Sequence, residues 1–293
     1  MKKRLLITSI ALILLCLVPI QVNSEVLPVP KPAQAPPRPA VHRAVDAFPV
    51  TADSGLLWLV NPEHPLGASY RPEELVDMSG YLIRPEVRAA YEKMISDMEV
   101  AGINPLCLQS AYRPYGYQQA LFDDKVKVLR GLGYDECEAK ALGAKSVALP
   151  GTSEHQLGLA VDVSVNGKLS AHFGSTRAGV WLQNNCGRYG FIVRYPKEKT
   201  QITRIVYEPW HLRYVGIPHA LYMHEHNMCL EEYITHVKDA GIVLYWVDEG
   251  NYYKVSFFRE KPDHLSLETA DVSGIGVDIS SGYIATELKT FFR

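Results

Sequence analysis

The sequence predicts an α+β fold, and three stretches carry that prediction. Residues 160–165 alternate, with Val161, Val163 and Val165 on one face and Ala160, Asp162 and Ser164 on the other, the pattern of a half-buried strand. Pro85 opens a segment in which Val87, Ala90, Tyr91, Met94, Ile95 and Met98 recur at helical spacing until Gly102 ends it, an amphipathic helix with a core-facing stripe. Phe191 to Tyr195 and residues 202–207 read as two strands joined by a charged turn around Lys197-Glu-Lys199, which makes them an antiparallel pair.

The remaining elements follow in order. Met1-Lys-Lys-Arg4 precedes an apolar run over residues 5–20, the n- and h-regions of a secretory signal. The run falls short of the ~20 residues that span a bilayer comfortably. Val22-Asn-Ser24 offers small-residue cleavage before Glu25, so residues 1–24 are a signal peptide or, uncleaved, an N-terminal anchor. Cys16 follows Leu15 rather than a small residue, which argues against lipidation. Residues 25–41 hold Pro28, Pro30, Pro32, Pro36, Pro37 and Pro39 and can neither pack nor pair; they form an extended linker, or a tail without function. The main domain is expected over residues 42–238. Within it, residues 57–83 read as an extended segment wrapping the core, residues 106–109 as a short strand and residues 131–150 as a helical segment with a small loop. Asn166-Gly167 is a hairpin signal. Residues 176–188 form a helix with Trp181 and Leu182 inward, and residues 217–228 and 230–237 form helices that close the domain. Residues 239–293 change character. Residues 242–247 and 252–258 alternate around a hairpin turn at Glu249-Gly-Asn251, giving a small β extension that holds little core alone and must pack on the main domain.

Composition narrows the function. A chain of 293 residues, 47% hydrophobic, can bury one sizeable core plus an accessory piece. A formal net charge of −2 with no like-charge blocks argues against a nucleic-acid partner. Cys107, Cys137, Cys186 and Cys229 permit three disulfide pairings or four singly buried thiols, and without a C-x-x-C they make no zinc knuckle. His219, His224, His226 and His236 are read as surface residues, like the isolated His42, His64, His172 and His264.

The chemistry concentrates in Gly151-Thr-Ser-Glu-His-Gln-Leu-Gly-Leu-Ala-Val-Asp-Val163. Asp162 lies among β-branched residues, and a buried carboxylate needs a partner. A cation shared with His155 supplies one. The third ligand is sought in Tyr207-Glu-Pro-Trp-His-Leu-Arg213, at His211. Two histidines and one carboxylate leave a coordination position open for water, as in catalytic zinc sites, although other first-row metals accept such ligands. Glu208 is then the base for the attacking water. On an ideal strand Glu208 and His211 point to opposite faces, so the site requires a turn or bulge, which Pro209 makes plausible. Trp210, between them, either walls the pocket or belongs to the core.

Ser153-Glu-His155 with Gly158, Ala160 and Asp162, followed by Glu208-Pro-Trp-His211, resembles the zinc D-alanyl-D-alanine carboxypeptidases of the VanY type, in a superfamily shared with L,D-carboxypeptidases, D,D-dipeptidases and hedgehog signalling domains. The resemblance spans residues 58–238 and includes Ser110-Ala-Tyr-Arg-Pro-Tyr-Gly-Tyr-Gln118 and Gly190-Phe-Ile-Val-Arg-Tyr-Pro196; Ala111 and Pro114 depart from the commoner Gly and Ser. It implies a small antiparallel sheet carrying the ligands, flanked by helices, with Zn2+ on His155, Asp162 and His211 and with Glu208 and Arg113 catalytic. It also implies substrate binding by Arg113, Gln118 and Ser153, on which composition and spacing are silent. Arg113 would hold the substrate carboxylate or the oxyanion. The implied substrate is a peptidoglycan stem peptide ending in D-Ala-D-Ala, cut by an exported monomer whose only membrane contact is an uncleaved N-terminus, with glycopeptide resistance a possible outcome. The rival readings are an L,D-carboxypeptidase acting on tetrapeptide stems and a zinc-stabilised wall-binding module without turnover. The β extension would bind wall or simply stabilise the enzyme.

Overall fold

In the computed structural model of the protein, the described residues are 54–104, 106–248, 251–260, 270–274 and 282–290. The expected signal (1–24), the Pro-rich linker (25–41), Cys16, His42, His264 and two residues of the predicted hairpin turn, Glu249 and Gly250, lie outside them.

Among the described residues the first regular element is a hairpin not foreseen from the sequence. Strands β1 (Val76–Met78) and β2 (Tyr81–Ile83) pair antiparallel across Ser79 and Gly80, at φ 56° and 86°. A two-residue hairpin needs such positive φ values. Ser79 is not one of the residues that usually advertise them, so residues 57–83 read as one extended segment. Helix α1 (Pro85–Val100) forms as predicted, with proline in its first turn and Val87, Tyr91, Met94 and Met98 buried. Fully burying side chains of this size contributes about 1.5–3 kcal/mol each.

The sheet that carries the chemistry contains β3 (Cys107–Ser110), β4 (Ala160–Ser164), β5 (Phe191–Tyr195) and β6 (Glu208–Tyr214), all antiparallel in the order β3-β4-β6-β5. β4 is not half-buried as its alternation predicts. All five of its residues are buried, because it is a central strand with core on one face and the polar site on the other. Val161, Val163 and Leu212 join the α1 stripe, Leu157, Phe173, Leu182 and Phe191 in the main core. Helices α2 (Tyr115–Gly131) and α3 (Glu136–Gly143) pack on each other through Phe122, Val126 and Ala139, and α4 (Arg177–Asn185) packs against β5 and β6. Asp135 and Glu138 close a capping box at the start of α3, and Thr176 caps α4 by accepting from the Gly179 N–H.

Two further expectations fail locally. Residues 202–207 form no strand. Helix α5 (Thr200–Thr203) occupies their start, and Arg204, at φ 62°, turns the chain before β6 begins at Glu208. Their apolar side chains Ile202 and Val206 face solvent, so they did not mark a sheet face. Asn166-Gly167 does make a turn, with Gly167 at φ 78°, but among the described residues no hairpin follows, since there β4 pairs with β3 and β6.

Helices α6 (Ile217–Glu225) and α7 (Leu230–Ala240) lead into a second antiparallel sheet of β7 (Ile242–Trp246), β8 (Asn251–Phe258), β9 (Ala270–Gly274) and β10 (Tyr283–Thr290), ordered β7-β8-β10-β9. Val243, Val255 and Ile284 share one cluster with Leu57, Val215, Ala220, Met223, Tyr233 and Val237, so the extension does pack on the main domain. His219 corrects the surface reading. It is buried between Tyr233 Oη at 2.7 Å and Thr286 Oγ1 at 3.1 Å, and burial pushes its imidazole down from 6.5 to about 3. His224 and His226 are exposed as expected. Cys107, Cys137, Cys186 and Cys229 are all free thiols, the first two exposed and the last two buried. No helix among the described residues is long and apolar enough to cross a membrane.

Candidate active site

Sheet register assembles the site. Asp162 on β4 stands directly opposite His211 on β6, and directly opposed residues project to the same face. His155 reaches them from a 3-10 turn (Glu154–Leu157) that ends in the left-handed Gly158, φ 68°, just before β4. The sequence problem of Glu208 and His211 resolves as anticipated by an irregularity in β6. From Val193 to Tyr195 on β5 is two steps, but the facing positions, Leu212 and Glu208, are four apart. The extra residues around Pro209 bring Glu208 within electrostatic reach of His211, Asp162 and Arg113.

The donor atoms of His155, Asp162 and His211 all lie within 4.8 Å of one another. His155 Nε2 is 3.2 Å from Asp162 Oδ2, and His211 Nδ1 is 2.9 Å from Asp162 Oδ1. His155 Nδ1 donates to the Ala111 carbonyl at 2.6 Å, which leaves Nε2 as the lone-pair nitrogen; that atom is buried and has no hydrogen-bond partner among the described residues. An orphaned imidazole nitrogen facing a carboxylate and a second histidine fits a cation, and the nitrogen–oxygen donor set fits zinc. Burial opposes the charge on Asp162, but His155 and His211 outweigh it and hold the carboxyl well below its usual range. For His155 burial wins, with help from Arg113, lowering it to about 4; for His211 burial is outweighed by the hydrogen bond to Asp162 and by the nearby Glu154 and Glu208 carboxylates, raising it to about 9.

Around this centre stand the other predicted residues. Glu208 is buried, and its carboxyl is pushed up from 4.5 to about 7 by that burial and then by the Asp162 charge. Arg113 NH1 lies 3.4 Å from Ser110 Oγ and 3.7 Å from Asp162 Oδ2, and its Nε is buried with no hydrogen-bond partner among the described residues. Gln118 is buried on α2; its Nε2 donates to the Ala148 carbonyl at 2.7 Å, and Oε1 has no hydrogen-bond partner among the described residues. Ser153 is buried at the head of the 3-10 turn, and Trp210 is half-buried against the main core.

Sequence reasoning assigned no role to Glu154, Arg194, Arg213 or Tyr195. Glu154 is fully buried, with Arg194 Nε at 2.7 Å and Arg213 NH1 at 2.8 Å, and the Tyr195 ring lies 4.9 Å from that of His211. The signal was available. Arg194 sits in an otherwise apolar strand and, like Asp162, must have a partner.

Comparison with known proteins fits this geometry. The family described as "VanY: D-alanyl-D-alanine carboxypeptidase" matches residues 80–217. A D-alanyl-D-alanine carboxypeptidase of Enterococcus faecalis is 40% identical over 179 residues, 61% of this chain and 65% of the relative. The chain thus spans just under two thirds of that protein's length. One of Enterococcus faecium is 30% identical over 258 residues, 80% of this chain and 78% of the relative. Among solved structures, a vancomycin-resistance D,D-pentapeptidase VanY from a VanB-type cassette, in complex with Zn(II), superposes with a TM-score of 0.55 at 39% identity, covering 61% of this chain and 98% of that one.

Proposed function

Because the chain belongs to the VanY family of D-alanyl-D-alanine carboxypeptidases, we propose that it is a zinc carboxypeptidase that removes the terminal D-alanine from peptidoglycan stem peptides ending in D-Ala-D-Ala. The observation that carries the reading is the meeting of His155, Asp162 and His211 beside a buried carboxylate, Glu208, and a buried guanidinium, Arg113. His155, Asp162 and His211 would hold the ion, which would supply Lewis-acid activation of water and the scissile carbonyl.

The chain's own groups do the rest. Glu208 accepts the proton of the attacking water and returns it to the departing D-alanine amine, which its carboxyl, poised near neutrality, can do in both directions. Arg113 presents its fork to the substrate carboxylate or to the oxyanion developing at the scissile carbonyl. Ser153 completes the carboxylate pocket, Gln118 offers Oε1 to a substrate N–H, and Trp210 walls the entrance. The same proposal places the enzyme outside the cell membrane as a monomer, exported by residues 1–24 and spaced from the surface by residues 25–41. Trimming the terminus that glycopeptide antibiotics bind would then lower their effect.

The test measures D-alanine release by the purified protein from a pentapeptide ending in D-Ala-D-Ala and from a tetrapeptide ending in one D-Ala, with and without chelator. Chelator-sensitive release from the pentapeptide, lost in Glu208→Ala with zinc still bound, is the expected result. Release from the tetrapeptide alone moves the enzyme to the L,D class. Release from neither, with zinc bound, leaves a binding module.

A further inference from the structure

Glu154 stands next to one metal histidine in sequence, yet its carboxylate reaches the other. It is wholly buried, and its two oxygens meet different environments. Oε1 accepts from Arg194 Nε at 2.7 Å and lies 2.8 Å from Arg213 NH1. Among the described residues Oε2 has no hydrogen-bond partner. At 3.7 Å from it stands His211 Nε2, also buried and also without one. Leaving a buried donor and a buried acceptor unjoined costs free energy, so a small rotation of the imidazole that closes the gap is favoured. That bond also decides the tautomer. With Nε2–H donated to Glu154, the Nδ1 lone pair points to the side where Asp162 lies, 2.9 Å away.

We propose that Glu154 is the positioning residue of the metal site, accepting Nε2–H from His211 and thereby presenting Nδ1 to zinc. Its charge is held in place from behind. Arg194 binds Glu154 through Nε and both oxygens of Glu231 on α7 through its terminal nitrogens, at 2.9 and 2.6 Å. His155 needs no such carboxylate, since the Ala111 carbonyl fixes its tautomer. A purely charge-balancing role would account for Oε1 between two arginines, but not for the aim of Oε2 at His211. A carboxylate behind a metal-bound imidazole orients the ring and raises its basicity. The inference rests on the zinc reading above.

The experiment determines the zinc dissociation constant of the full-length protein by competition with a chromophoric chelator, and Tm with and without zinc. Its subjects are the wild type, Glu154→Gln, Glu154→Asp and Arg194→Lys. Both Glu154 variants should bind zinc about 10- to 100-fold more weakly and lose part of the zinc-dependent rise in Tm. Arg194→Lys keeps the carboxylate and a cation behind it; it should lower the zinc-free Tm and weaken zinc less than loss of the supporting carboxylate does. Glu154 variants with wild-type zinc affinity, or Arg194→Lys weakening zinc as much as they do, would overturn the proposal. Should the Glu154 variants not fold, the zinc-loaded wild type decides. Imidazole 15N spectra must show one histidine metallated at Nδ1 and protonated at Nε2, and metallation of both rings at Nε2 sinks the idea. A wild type that binds no zinc would instead remove the underlying function, an outcome visible in the first arm.

Discussion

Glu208 meets two opposing demands, because it must be ionised to take a proton and burial resists ionisation. Burial and then Asp162 raise its carboxyl from 4.5 to about 7, while His211 and Arg113 pull it down. A bound cation adds to the downward pull, so the acid limb of kcat/KM should fall between those two values. The sign is fixed by the role. Activity rises with pH through the limb and drops about tenfold per unit below it. A kcat/KM profile without an acid limb in that window would show that another group is the base. At this scale the sequence was most informative about His155, Asp162, His211 and Glu208, whose types and spacing already imply metal chemistry. It was least informative about Glu154, whose arginine partner lies 40 residues away and whose meaning exists only once β5 has docked.

Among elements, the segment leading to the metal strand depends on one backbone conformation. Gly151 has φ +81°, and a Cβ there would sit 2.7 Å from the Leu66 carbonyl oxygen. Gly151→Ala should therefore cost about 2 kcal/mol or more, read as a lower denaturation midpoint with unchanged slope. Helix α6 carries a different liability in His219, which is neutral when folded because burial lowers it from 6.5 to about 3. The unfolded chain takes up the proton first, so the contribution of His219 is whole above 6.5 and is lost as pH falls towards 3, at up to about 1.4 kcal/mol per pH unit. Urea unfolding across that window should show the loss in the wild type and a flatter dependence in His219→Phe. Periodicity could find α1 because a one-sided stripe is local information. The misread strand over 202–207 and the unforeseen β1–β2 hairpin turn on Arg204 and Ser79, non-glycine residues at positive φ, where local propensity points the other way.

For the whole molecule, the α+β class and the packing of the C-terminal strands on the main domain were legible, since both follow from which segments are too apolar to stand alone. The partners were not. Leu57 donates its N–H to Ser273 Oγ at 2.9 Å across 216 residues, and Arg213 NH2 reaches the carbonyls of Leu56 and Trp58, each at 3.0 Å. Such distant closures leave no trace in any short window of sequence.

The pairing of Asp162 with His211 joins neighbouring strands whose residues are 49 apart along the chain. An ion gripped by both acts as a bolt across β4 and β6, which cannot separate until it is withdrawn. Its influence should therefore fall on how long the native molecule survives rather than on how quickly it forms, provided the ion enters only after the two strands have met. Zinc-stripped protein should unfold in denaturant many-fold faster than loaded protein and refold at nearly the same rate. A loss of refolding speed instead would mean that the ion joins early, and guides the strands together.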